Sequence, residues 1–205
     1  MEIIFQNVYK LGEKLLTKNR VPGVKVYGEE IIKINGVEYR VWDKYRSKLA
    51  AAIHKGLKNF WFNGDVLYLG ASSGTTVSHL SDIIDNYIYA VEISKPMIIK
   101  LYELAKLRYN IIPILADANY PENYKDIEKI DVIYQDIAQP NQLEIFFKNV
   151  EFFKPKYGYL CLKLPSMSIK SNLNEIITNQ IYKPLEIISL EPFDKQHYFL
   201  TYKFL

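Results

Sequence analysis

The run Asp65-Val-Leu-Tyr-Leu-Gly70-Ala71-Ser72-Ser73-Gly74-Thr75-Thr76 most constrains what this 205-residue chain can fold into. Val66 to Leu69 reads as a strand buried on both faces, and the small-residue loop after it leads into a helix whose apolar face starts at Val77 and Leu80. Ile88 to Glu92 is the next strand, and it ends on a carboxylate. A strand, loop, helix and strand of this kind is a βαβ unit, which requires a parallel sheet covered on both faces. Gly70 and Gly74 lack a Cβ, so backbone can approach a ligand closely there. Ser72, Ser73, Thr75 and Thr76 offer hydroxyls and amides at a helix start, where a carboxylate or phosphate is favoured. Glu92 is placed to grip ribose hydroxyls.

A dinucleotide fingerprint needs three glycines at Gly-x-Gly-x-x-Gly spacing, but Ser72 and Thr75 stand where the second and third would be. A pyrophosphate is therefore poorly served. S-adenosylmethionine fits better, with its carboxylate at the helix start and its ribose on Glu92. The bland alternative is a strand-to-helix turn that binds nothing, since many such turns use Gly and Ser.

Strand and helix patterns alternate through most of the chain. Strands are expected at 66–69, 88–92, 111–115, 132–136 and 159–164. Helices are expected at 95–108 and at 141–153, where Leu143, Phe146, Phe147 and Val150 form a stripe. Leu185 to Leu190 and Tyr198 to Phe204 are joined by Glu-Pro-Phe-Asp-Lys-Gln-His, too short for a parallel crossover, so the last strand is expected to be antiparallel. Before this, residues 1–42 read as a small antiparallel β subdomain. Its apolar runs include Val24–Tyr27 and Ile31–Ile34, and Asn35-Gly36 marks a hairpin turn before Val37–Tyr39. The main domain is expected over 43–205, opening with a helix capped by Asp43, stopped by Gly56, and burying Tyr45, Leu49, Ala52 and Ile53. Fold class is thus α/β, a Rossmann-like mostly parallel sheet with an antiparallel last strand.

Composition narrows the function. The single cysteine, Cys161, lies in an apolar run and excludes a disulfide framework. Together with three scattered histidines it offers no zinc spacing, so no metal is expected. A net charge of +3, from 26 basic and 23 acidic residues, is far from the basic stripe of a self-sufficient nucleic-acid binder, so an RNA substrate would need help from partners. No apolar run reaches the length of a membrane span, and the expectation is a soluble, untargeted protein.

Ligands of an open α/β sheet gather beyond the carboxyl ends of its strands. Here those ends are polar: Gly70–Thr76, Glu92, Asp117 with Ala118, Asp136, and Lys163 late in the fifth strand. An antiparallel last strand brings its first residue, His197, to the same edge. Each has an ordinary reading: Asp117 as a loop cap, Asp136 as a helix cap toward Pro140, Lys163 snorkelling from a strand end, and His197 in a turn. Lys48, on the flank of the helix after Asp43, is a further candidate. His54 and His79 read as helix-surface or core residues.

The segments VKVYGEE, YRVWDKYRSKLAAAI, VLYLGASSGTTVSHLSDI, YAVEIS, ILADAN, VIYQDIAQPNQ and LEPFDKQH occur in that order. Together they resemble the archaeal-type fibrillarin-like methyltransferases, from about residue 20 to the C-terminus. The resemblance implies a class I methyltransferase that moves the methyl of S-adenosylmethionine to ribose 2′-hydroxyls of rRNA and tRNA. The target is chosen by a box C/D guide RNA, within a complex containing a Nop-domain scaffold protein and a kink-turn-binding protein. It places the methionine portion at Thr75 and Thr76, the ribose at Glu92 and Ile93, the adenine at Asp117 and Ala118, and the rest of the pocket at Asp136, Ile137, Ala138 and Gln139. The family's catalytic Lys, Asp, Lys and His are matched by Lys48, Asp136, Lys163 and His197. Alignment on Lys154-Pro155 brings the strand lysine close to Lys163, whereas alignment on Gly158-Tyr159-Leu160 puts it at Pro165. The eukaryotic relatives' Gly/Arg-rich tail is missing from this sequence, which points to an archaeal-type, cytoplasmic protein.

Other readings are a noncatalytic cofactor-binding subunit of the same complex, a methyltransferase acting on a small molecule or protein, and a nicotinamide-dependent dehydrogenase.

Overall fold

The structure, a computed structural model, describes residues 1–167 and 172–204. Seven strands form the main sheet: β6 (Val66–Leu69), β7 (Ile88–Glu92), β8 (Ile111–Leu115), β9 (Val132–Gln135), β10 (Tyr157–Lys163), β11 (Glu186–Ser189) and β12 (His197–Lys203). Their spatial order is β11-β12-β10-β9-β6-β7-β8. The contacts from β10 through β9, β6 and β7 to β8 are parallel, and β12 runs antiparallel to both β10 and β11. The expected mostly parallel sheet with an antiparallel last strand is what forms. All four residues of β6 and of β9 are buried, as central strands covered on both faces must be.

Helices α2 (Thr75–Ile83), α3 (Lys95–Leu107) and α4 (Gln142–Phe153) cover the sheet. A shorter α1 (Lys48–His54) precedes it, and α5 (Leu173–Asn179) precedes β11. From β6 the chain winds outward to β7 and β8, then returns to the other side of β6 as β9. The carboxyl ends of β6 and β9 therefore flank the point where the strand order reverses, the usual position for a ligand crevice.

An antiparallel five-stranded sheet comes first: β1 (Glu2–Phe5), β2 (Val8–Leu11), β3 (Lys14–Lys18), β4 (Ile31–Ile34) and β5 (Val37–Val41), in the order β1-β2-β3-β5-β4. Asn35 and Gly36 both take positive φ (50° and 81°), as a two-residue turn matched to strand twist requires. Val24–Tyr27 is not a strand. The Glu29 carboxylate accepts the amides of Val26 and Tyr27, drawing this run into a turn instead. The helix expected from Asp43 also starts later. Asp43 Oδ1 accepts the Tyr45 amide in a local turn, Tyr45 is exposed, and Ser47 is the N-cap, accepting from the Ala50 amide. Gly56, at φ +92°, follows the helix end as expected.

A buried ion network joins the two sheets. The Arg40 guanidinium donates to Glu29 at 2.6 Å and to Asp82 of α2 at 2.7 Å, and Asp82 also accepts from Arg108. Burial works to raise the Glu29 carboxyl, but the Tyr27 and Val26 amides and Arg40 outweigh it and hold it below its usual value. Fully buried His79 lies between Thr17 Oγ1 and the Tyr27 hydroxyl, both at 2.8 Å, and stacks on Trp42. It is a core histidine.

Candidate active site

At the carboxyl edge, β6 and β9 meet closely. Gly70 has φ +81°, and a Cβ there would come within 2.9 Å of the Asp136 carbonyl and the Ile137 side chain. Gly74, at φ +93°, faces the other way, and a Cβ would run into Leu104 and Leu101 of α3. The glycines are therefore required first by protein packing and positive φ, rather than only by a ligand's approach.

A cleft of about 220 Å³ opens beside this junction. Gly70 and Ser72 form one wall, Glu92 and Ile93 the next, and Asp117 and Ala118 a third, with Asp136, Ile137, Ala138 and Gln139 closing it. Of the predicted cofactor residues, Ala71, Gly74, Thr75 and Thr76 do not line it. Thr76 is buried and donates to Ser47 Oγ at 2.9 Å, which ties the start of α2 to the start of α1. Gly74 is the N-cap of α2 and supplies no side-chain acceptor, so the helix's first amides remain available to an anion. A larger cavity, about 770 Å³, lies between α4 and α5. None of the predicted site residues lines it, so the smaller cleft with its converging polar groups is the better site.

The acids in the cleft are held by backbone. Glu92 accepts the Ser72 amide on Oε2 and the Ser94 amide on Oε1, each at 2.7 Å. A carboxylate has about four acceptor positions, which leaves capacity for a ribose diol. Asp117 Oδ1 accepts both the backbone amide and the side-chain nitrogen of Asn119, so the loop-cap reading of Asp117 describes part of what it does. Asn119 also donates to Gln139 and accepts from Asn141, tying the β8 loop to the β9 loop. Ile93, Ala118, Ile137 and Ala138 supply apolar walls suited to a planar base.

Asp136 stands between two lysines. Lys163 Nζ is 2.6 Å from its Oδ1, and Lys48 Nζ is 3.2 Å from the same oxygen. Lys163 Nζ also donates to the Asp136 carbonyl at 3.1 Å. Burial works to raise the Asp136 carboxyl, but Lys48 and Lys163 outweigh it and hold it below the usual carboxylate range. Burial works to lower Lys48, but Asp136 outweighs it and raises the ammonium. All three side chains are mostly shielded, with 10 to 19% exposure. Pro165 lies in a turn of 3-10 helix beyond β10, and the ammonium on Asp136 is that of Lys163.

His197 begins β12 and pairs with Lys163 across the β10–β12 ladder. Its Nδ1 donates to the Lys195 carbonyl at 2.8 Å, which leaves the Nε2 lone pair of the neutral ring as an acceptor. Cys161 is buried against the Tyr134 hydroxyl, and burial pushes its thiol up, so it is no nucleophile. Sequence reasoning missed Ser47, Asn119, Gln135 and Gln142. The signal for Gln142 was present, because it falls on the same helical stripe as Phe146 and Val150, where a polar residue is out of place.

The family model described as Fibrillarin matches residues 1–204. A fibrillarin-like rRNA/tRNA 2′-O-methyltransferase of Thermoplasma volcanium is 47% identical over 96% of this chain and 93% of its own length. Among solved structures, the Methanococcus jannaschii fibrillarin pre-rRNA processing protein superposes with a TM-score of 0.92 at 43% identity, covering 99% of this chain and 96% of that one. Aeropyrum pernix fibrillarin with natively bound S-adenosyl-L-methionine gives 0.82 at 36%, covering 95% and 92%. The fibrillarin of a fibrillarin/Nop5p complex gives 0.88 at 41%, covering all of both chains. By the family match and by this likeness over nearly its whole length, the chain belongs to the fibrillarin family.

Proposed function

We propose that this chain transfers the methyl group of S-adenosylmethionine to ribose 2′-hydroxyls of rRNA and tRNA, as the catalytic subunit of a guide-directed box C/D complex. The observation that carries this reading is the Lys48–Asp136–Lys163 cluster at the rim of a cleft holding a backbone-fixed Glu92. The residues suit the cofactor. Glu92 would hold the ribose, Asp117 and the apolar walls the adenine, and the amides at the start of α2 the carboxylate. Bound there, the cofactor would supply an electrophilic methyl group on a sulfonium, whose sulfur departs as a neutral thioether without needing a proton.

The protein's own task is to place the hydroxyl and manage its charge. Asp136 accepts a hydrogen bond from the 2′-hydroxyl and orients its lone pair. Between two ammoniums it is a weak base, so its proton-accepting role belongs late, when the oxygen has become acidic through attack. Lys48 and Lys163 keep the Asp136 carboxylate ionised and fixed in place, so that it stands ready for that proton as the oxygen becomes acidic. His197, through Nε2, orients or relays the proton.

A mild net charge favours a chain that borrows RNA affinity from guide and partners. The fibrillarin/Nop5p likeness supports a Nop-domain scaffold as one of them. The resemblance adds a kink-turn-binding protein and a cytoplasmic setting. A noncatalytic subunit is disfavoured because Lys163 reaches Asp136. The test is methylation of a matched target RNA with guide, scaffold and kink-turn protein, each omitted in turn. Activity that survives removal of guide and scaffold would sink the proposal.

A further inference from the structure

Two fully buried glutamines, Gln135 and Gln142, lie behind the catalytic cluster. β10 pairs with β9 from Tyr157 to Leu160, and there β9 ends, so Cys161 to Lys163 project beyond it. Beyond that end the Gln142 side chain takes the place of the missing strand. Its Oε1 accepts the Lys163 amide at 2.8 Å, and its Nε2 donates to the Lys163 carbonyl at 2.9 Å. The Gln142 carbonyl in turn accepts from Gln135 Nε2 at 2.6 Å, and Gln135 immediately precedes Asp136.

We propose that Gln142 is a positioning residue for methyl transfer, which sets the Lys163 ammonium against Asp136 by clamping the Lys163 backbone; this rests on the reading of Lys163 and Asp136 as catalytic. Four rotatable side-chain bonds separate the Lys163 backbone from its ammonium, so the ammonium is only as well placed as the strand end that carries it. On one side that end is held by His197 in the β12 ladder. On the other it is held by one amide side chain, anchored to the residue beside Asp136. The path Gln135–Gln142–Lys163 and the Lys163–Asp136 ion pair close a ring, which makes the separation of the two charged groups a property of the buried amides. The cofactor cleft takes no residue from this clamp.

The test uses the full chain in the reconstituted guide complex, with kcat, KM and calorimetric S-adenosylmethionine affinity for three variants. Gln142→Met keeps the length and loses both polar contacts. It should bind the cofactor within about threefold of wild type and lose about 100-fold in kcat, as expected for misplacement of about 1 Å. Gln142→Glu can donate to the Lys163 carbonyl only when protonated, so its kcat relative to wild type should rise as pH is lowered from about 8 to about 6. Lys163→Ala should be inactive. A Gln142→Met protein with wild-type kcat beside an inactive Lys163→Ala overturns the inference and leaves the catalytic reading intact. An active Lys163→Ala overturns that reading and the inference with it. Should Gln142→Met fail to fold, the Gln142→Glu profile decides, and a ratio to wild type that does not change with pH overturns the clamp.

Discussion

Lys163 ends β10 and Asp136 directly follows the neighbouring parallel strand β9, and their charged groups meet at 2.6 Å just beyond the sheet's carboxyl edge. With Lys48 on the other side, the carboxylate is held ionised by two cations, and this sets both what it can do and when it stops doing it. The folded value is depressed, so the ion pairs' contribution to stability is fully present above the unfolded value of about 3.9 and is lost as pH falls through the lower folded value.

Asp136→Asn should therefore fold yet lose about 100- to 10,000-fold in methyl transfer. It leaves Lys48 and Lys163 facing a neutral amide, at a cost of about 1–3 kcal/mol in urea unfolding. Near wild-type turnover by the folded variant would remove Asp136 from the chemistry.

Glu92 uses both carboxylate oxygens to hold the amides of Ser72 and Ser94. Glu92→Gln turns one acceptor into a donor that faces an N–H, so the loop must open on that side. S-adenosylmethionine affinity, measured by calorimetry, should weaken about 10- to 100-fold, the worth of a hydrogen bond to a charged group. Unchanged affinity would place the ribose elsewhere.

Gly74→Ala forces a Cβ into Leu101 and Leu104 at a positive φ, whereas Gly36→Ala meets open space at a similar φ. Both variants carry the left-handed backbone cost of roughly 1–2 kcal/mol, and Gly74→Ala should lose a further 1–3 kcal/mol from overpacking. Equal denaturant midpoints would contradict the packing role assigned to Gly74.

His79 is neutral when folded, because burial and then Arg40 and Arg108 push its imidazolium form well below the ordinary range. The unfolded chain takes up a proton near pH 6.5 that the folded one refuses, so stability should fall as pH drops below about 6.5. Partly exposed His54, lowered by burial and Lys44, adds a smaller effect of the same sign. In His79→Gln the slope of urea midpoint against pH between about 6.5 and 5 should flatten. An unchanged slope would assign the acid sensitivity elsewhere.

The sheet was legible because its strands are short apolar runs ended by polar residues, and a seven-residue link could only make an antiparallel pair. Glu92, Asp136 and Lys163 were legible for the same reason, as charges where an apolar run stops. The start of α1 was misread because Asp43 makes a local turn that imitates a cap, while Ser47 four residues on is the true one. Val24–Tyr27 looked like a strand because nothing in its own residues shows that Glu29 will take its amides. The Arg40–Asp82–Arg108 network joins residues far apart in sequence, so only packing reveals it, and the stripe of α4 marks Gln142 as out of place without showing that its partner is the Lys163 backbone.

The most direct test is methyl transfer in the reconstituted guide complex to two target RNAs that differ only in the 2′ substituent of the selected nucleotide. Labelled methyl should enter the target bearing a 2′-hydroxyl and fail to enter the one bearing 2′-hydrogen. Equal incorporation into both would show that the acceptor is not the ribose hydroxyl and would contradict the account.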